Sequence, residues 1–219
     1  MIAILNQRSQ KYLSLLKLKI RNKFKSDIQL SEYYFGYGAN LDIDRFEKNN
    51  MIAKELGVGS LNNHEMKFSL ATEFQGKSYA GVHEYTGKSV PGVVVKIDKL
   101  SLSYLDKLEW CGFGAYNRVL KEVEVNGSIY KAWVYIVKYP DYNRLPSTLY
   151  LKNMINAAKK RNFSNEYLVY LESHDSKELF DIDHSFSLMT YGSSRKFVRQ
   201  LKRLYILHDK IRNKLCNLI

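Results

Sequence analysis

Proline is scarce in this chain, three in 219 residues, and glycine contributes only twelve. No Pro/Gly-rich stretch separates two independently folding halves, so the chain reads as one well-filled core with appended helices. Cysteine is nearly absent. Cys111 and Cys216 cannot build a disulfide framework and lack zinc-ligand spacing, which fits a reducing, cytoplasmic setting. The histidines (His64, His83, His174, His184 and His208) show neither HxxxH nor HxH spacing, so no metal or other cofactor is expected. Gly-x-Ser-x-Gly elbows and phosphate loops are missing. No run approaches the ~20 apolar residues of a membrane-spanning helix. The N-terminal apolar residues are broken by Lys17, Lys19, Arg21 and Lys23 and do not read as a signal peptide.

Positive charge is present in excess, net +12, and it is unevenly placed. Residues 1–30 carry seven Lys/Arg against Asp27, net +6, and residues 191–219 carry eight against Asp209, net +7. Residues 31–190 are close to neutral, with 19 basic and 20 acidic side chains. Two readings of the ends stay open. They are helices with solvated Lys/Arg faces, or they meet a nucleic acid or an anionic membrane surface.

Along the chain, residues 8–25 predict an amphipathic helix, with Leu13, Leu16, Ile20 and Phe24 as its apolar face and lysines between them. An aromatic strand at 33–37 runs through Gly38 into a helix at 42–50, which Asp42 or Asn40 would cap. From 55 to 98 the pattern is β, including the buried run Val93-Val94-Val95. A helix follows at 101–110, with Ser103 and Asp106 at capping-box spacing. Asn126-Gly127 between alternating strands at 116–125 and 128–138 predicts a two-residue type I′ hairpin, because both positions favour positive φ. Helices are predicted at 148–161 and 164–173, then a polar stretch at 174–185 and a last helix from Ser194 to the end. The order implies an α+β fold with a mixed, mostly antiparallel, barrel-like sheet, surrounding helices and helical N- and C-terminal extensions.

Two places could carry chemistry. In Tyr37-Gly38-Ala39-Asn40-Leu41 a strand hands over to a helix, and glycine there exposes backbone N–H groups suited to a carboxylate or an oxyanion. A plain connector is the alternative. Glu109 shares a helix face with Leu102 and Leu105 and lies beside Trp110, where partial desolvation suits a group that takes and gives a proton. A glutamate reaching to the rim of the core is the alternative there. Cys111 has no evident His partner and reads as a structural thiol.

Read in order, the stretches Tyr33–Leu41, Gly92–Val94, Leu105–Glu109, Gly114–Tyr116 and Pro146–Tyr150 form a set of short motifs that resembles the γ-glutamyl cyclotransferase family of AIG2-like proteins. Tyr33-Tyr34-Phe35-Gly36-Tyr37-Gly38-Ala39-Asn40-Leu41 is similar to its N-terminal signature. Gly92-Val93-Val94 resembles its Gly-Val-Val strand, and Leu105-Asp106-Lys107-Leu108-Glu109 its Leu-Asp-x-x-Glu helix. Gly114-Ala115-Tyr116 and Pro146-Ser147-x-x-Tyr150 match two further family motifs. The resemblance spans residues 33–171 and excludes both basic ends. It implies Glu109 as acid/base, a substrate-binding turn at Tyr37, Gly38, Ala39, Asn40 and Leu41, and pocket tyrosines Tyr116 and Tyr150. It further implies cofactor-independent cyclisation of a γ-glutamyl amino acid or amine to 5-oxoproline. Ala39 departs from the usual serine, and Pro91 and Asn117-Arg118 are also atypical.

The expected organisation is therefore a basic N-terminal extension at 1–30, a cyclotransferase-like domain at 31–172, and a basic C-terminal extension at 173–219. Two other functions remain open at this point. One is a catalytically silent binding module anchored by its basic ends. The other is a tailoring enzyme that removes a γ-glutamyl protecting group from a biosynthetic intermediate.

Overall fold

The computed structural model describes residues 2–24, 28–72 and 77–178. The helix expected from Ser194, and most of the expected C-terminal extension, lie outside these residues.

The chain begins with helix α1 (Ile2–Phe24). The short strand β1 (Glu32–Gly36) ends in the turn at Tyr37 and Gly38, a single 3₁₀ turn (Ala39–Leu41) and the brief helix α2 (Asp44–Lys48). Two long strands follow, β2 (Ala53–Thr72) and β3 (Lys77–Ile97), then helix α3 (Lys99–Leu108). The hairpin β4 (Tyr116–Val125) and β5 (Ser128–Val137) leads to the two-residue strand β6 (Leu145–Pro146) and to helices α4 (Thr148–Lys160) and α5 (Asn165–Glu172).

The strands are ordered β1-β5-β4-β2-β3-β6, and β1 also pairs with β3, so five strands close into a barrel with β6 outside. Within the ring only β1–β5 is parallel. Closure removes the open edges that a five-stranded sheet would otherwise expose. Bulges between Glu55 and Gly57, Asn62 and His64, and Phe68 and Leu70 bend β2 along β3, which lets strands of this length wrap around the core. Asn126 and Gly127 both have positive φ, 50° and 76°, as the hairpin motif requires.

The core is continuous. β1 supplies Tyr34 and Phe35, and β3 supplies Val93, Val94 and Val95. Leu102 and Leu105 of α3, Leu151 and Met154 of α4, and Leu171 of α5 close it.

Three local expectations are corrected. Helix α3 begins two residues earlier than expected, because Asp98 accepts from the Leu100 and Ser101 amides and caps it. Ser103 is exposed, and Asp106 sits in the last turn with other partners. The helix expected at 42–50 shortens to α2, with a separate 3₁₀ turn before it; Asp42 accepts from the Asp44 amide, while Asn40 caps nothing and turns toward Glu109.

Helix α1 is the third correction. Its inward side chains are Ser14, Leu15, Leu18 and Arg21, not Leu13, Leu16 and Ile20, which are 50%, 52% and 46% exposed. Leu18 is fully buried, and Arg21 forms a 2.6 Å ion pair with Asp98 and donates to the Asn50 carbonyl at 3.0 Å. Hydropathy cannot choose between the two leucine sets. The buried carboxylate that awaits Arg21 does. Among the described residues no helix is long and apolar enough to cross a membrane.

Candidate active site

The site forms where β1 runs out. Strand β1 is held between β3 and β5, so its last residues and the following turn are placed by two neighbours at once. The Leu41 amide bonds back to the Gly38 carbonyl at 3.0 Å, and the Asp42 amide bonds to that of Ala39 at 3.3 Å. Gly38 passes close to helix α4: a Cβ there would lie 3.0 Å from the Tyr150 hydroxyl and 3.3 Å from the Ala80 methyl. A side chain at this position would make Tyr150 or Ala80 give way by a few tenths of an ångström.

Glu109 arrives from the other side. It is the residue at which α3 ends, its amide making the last helical bond to Leu105 at 2.8 Å. Trp110 then enters the left-handed region at φ 52° and buries its indole. Left-handed backbone ends a helix abruptly, and a non-glycine residue holds it only where the surroundings enforce it. The half-buried Glu109 therefore faces the β1 turn instead of continuing along the helix.

Together these pieces line a small, partly open pocket of about 30 Å³, with Tyr37, Gly38, Ala39, Asn40, Glu109, Tyr116 and Tyr150 from the sequence reading on its walls. Leu41, included in that reading, does not line it; it is fully buried in the core and anchors the 3₁₀ turn. Three lining residues escaped the sequence reading: Tyr34, Ala80 and Tyr135. Tyr34 lies within the quoted signature, and in the structure it is the residue of β1 that pairs with both β3 and β5. No local signal marks Ala80 or Tyr135.

The polar contacts divide the tyrosines into two kinds. Tyr37 donates to the Tyr135 carbonyl, and Tyr116 donates to the Ala80 carbonyl at 2.8 Å. Their hydroxyl hydrogens are committed to the barrel wall. Tyr34 instead accepts from Asn40 Nδ2 at 2.8 Å, and Tyr150 accepts from the Ala80 amide at 3.3 Å. A phenol that accepts keeps its own O–H to donate. Asn40 Nδ2 also donates to Glu109 Oε1 at 3.1 Å, which ties the turn to the carboxylate.

Burial pushes all five phenols above their ordinary range, and the nearby charge of Glu109 adds to the effect; Tyr150 is pushed up to about 12. Every one stays protonated near neutrality. Arg45 opposes the shift at Tyr34 and Tyr150, so its positive charge reaches this pocket. Behind the site, Asp106 accepts from the Tyr135 hydroxyl at 2.9 Å and from Arg118 at 2.8 Å. Burial raises Asp106 above the usual carboxylate range. Cys111 is likewise raised by burial, then by Asp106 and Glu109, which disfavours a thiolate.

The fold is shared with solved structures. One named gamma-glutamyl cyclotransferase is 22% identical with a TM-score of 0.63, covering 78% of this chain and 98% of that one. An uncharacterized protein from Homo sapiens is also 22% identical, with a TM-score of 0.64 and coverage of 79% and 98%. YkqA from Bacillus subtilis is 24% identical, with a TM-score of 0.59 and coverage of 72% and 59%. No curated protein matches in sequence. The model of the family described as gamma-glutamyl cyclotransferase, AIG2-like, matches residues 34–152, more than half of the chain and the whole of the pocket just described. The chain belongs to the gamma-glutamyl cyclotransferase, AIG2-like family.

Proposed function

We propose that this protein is a γ-glutamyl cyclotransferase that converts the γ-glutamyl group of a γ-glutamyl amino acid or amine into 5-oxoproline and releases the amine. The observation that carries the reading is the 3.1 Å contact between Asn40 of the turn and Glu109, inside a tyrosine-lined pocket.

The substrate supplies its own nucleophile, an α-amine four bonds from the γ-carbonyl. Holding the two ends together contributes rate by removing the entropy of their encounter. Glu109 takes a proton from the α-ammonium, and the freed amine attacks the γ-carbonyl to form the ring C–N bond. The tetrahedral oxyanion meets the O–H groups of Tyr150 and Tyr34. Collapse breaks the original amide C–N bond; the proton held by Glu109 goes to the departing nitrogen, and the second proton of the ring nitrogen then passes to the freed carboxylate and on to the released amine, leaving the lactam N–H. Tyr37 and Tyr116 shape the walls, and Asn40 orients the carboxylate. The positive charge of Arg45 favours a pocket occupied by the substrate's α-carboxylate.

The test is incubation of the full chain with a panel of γ-glutamyl amino acids and γ-glutamyl amines, with 5-oxoproline read by mass spectrometry. Glu109→Gln is expected to bind but to lose on the order of 10²–10⁴-fold in rate. A panel that yields no 5-oxoproline, or a Glu109→Gln variant that turns over at the wild-type rate, rejects the proposal.

A further inference from the structure

Helix α1 carries an apolar stripe that the fold leaves uncovered. Tyr12, Leu13, Leu16 and Ile20 are 57%, 50%, 52% and 46% exposed. They share one side of the helix, since at 3.6 residues per turn positions 12, 16 and 20 follow one another and 13 lies beside 16. The opposite side is seated on the barrel through Leu18 and through Arg21, which bonds Asp98, Ser101 and the Asn50 carbonyl. That seat fixes which side looks outward. Exposed Lys19 borders the stripe on one edge and exposed Lys17 on the other, and exposed Lys23 follows Ile20 at its C-terminal end.

Two features must be matched by whatever meets this face: a band of apolar side chains and a cationic border. The C-terminal segment 191–219 has apolar residues at helical spacing but carries net +7, and residues 1–30 carry net +6, so covering one with the other sets like charges together. A second copy of α1 would lay lysine on lysine in the same way. Nucleic acid would neutralise the lysines and leave the leucines in water. A bilayer with anionic headgroups matches both features, taking the apolar side chains below the headgroups while the lysines reach the phosphates.

We infer that the outer face of α1 docks this protein on anionic membrane surfaces, with the helix lying in the interface. The inference is independent of the chemistry proposed above and concerns a different face.

Full-length protein is sedimented with phosphatidylcholine vesicles with and without phosphatidylserine. Binding is expected only with phosphatidylserine. The double substitution Leu13→Glu/Leu16→Glu is expected to reduce partitioning at least about tenfold. Lys17→Ala and Lys23→Ala are each expected to reduce it roughly fivefold, with the whole effect weakening as salt is raised. The melting temperature and the sedimentation mass should not change in the leucine variant, because its side chains support nothing in the fold. Three results overturn the inference: no vesicle binding, binding indifferent to the leucine substitutions, or a lower melting temperature or smaller mass in that variant. The last would mean that the rest of the chain or a second copy already covers the stripe. Binding to RNA that ignores the leucine substitutions, with none to vesicles, would identify a nucleic-acid partner instead.

Discussion

Two tyrosines of the same pocket should respond oppositely to loss of their hydroxyl. Tyr150 accepts from the Ala80 amide at 3.3 Å, and its O–H remains to donate. Tyr116 spends its O–H on the Ala80 carbonyl at 2.8 Å. Tyr150→Phe removes a donor aimed at the developing oxyanion, a loss of about 10²-fold in kcat, or roughly 3 kcal/mol of transition-state stabilisation. Tyr116→Phe removes a buried structural bond, about 1 kcal/mol of stability, and lowers the melting temperature by roughly 2–4 °C for a chain of this size. Its kcat should stay within a few-fold of wild type. The assay is initial-rate release of 5-oxoproline at saturating substrate, with thermal denaturation followed in parallel on the same preparations. KM for Tyr150→Phe should move less than kcat, because the bond forms mainly in the transition state. Equal loss of kcat in both variants, or wild-type kcat in Tyr150→Phe, refutes the division of the tyrosines.

Three further outcomes test the frame around the site. Gly92→Ala should destabilise the protein by about 3 kcal/mol, since a Cβ there would stand 2.4 Å from buried Phe35 and 2.6 Å from the Gly36 carbonyl at the barrel seam; a urea midpoint unchanged from wild type would contradict that packing. Arg21→Ala should cost about 3 kcal/mol by leaving Asp98 buried without its cation, and should expose α1 to limited proteolysis; an α1 as resistant as before would show that the ion pair does not seat the helix. His83, whose ring accepts or donates at 2.7 Å to buried Ser69, is held below its ordinary 6.5, first by burial and then by Lys67. A base with a depressed folded pKa binds fewer protons folded than unfolded in that range, so its contribution is present above pH 6.5 and is lost as pH falls toward the folded value. His83→Gln should therefore lose less stability than wild type between neutral and mildly acid pH in chemical denaturation, and equal losses would remove His83 from the acid response.

Much of this protein could be read locally. The Asn126-Gly127 turn is legible because its requirement, positive φ at two adjacent positions, lies within the turn itself. The start of α4 is legible for the same reason: Ser147 caps it through the Tyr150 amide three residues on. Glu109 and the β1 turn were found because their residue types recur in a known order of motifs, and both line one pocket.

What the sequence could not decide depended on partners far along the chain. Asp98 and not Ser103 caps α3, and the carboxylate that does so also accepts Arg21 from 77 residues away, which selects the packed face of α1 against its hydropathy. Tyr135 joins the site only because β5 lies parallel to β1, and Leu41 leaves it because the 3₁₀ turn points that side chain into the core. Tyr37 and Tyr116 look alike in sequence to Tyr34 and Tyr150, and differ only in whether a carbonyl or an N–H from another strand or from the turn faces each oxygen. Propensity and turn chemistry act over a few residues and are written in the sequence, whereas the direction of a hydrogen bond and the burial of a charge are set by barrel closure, which brings β1 against both β3 and β5.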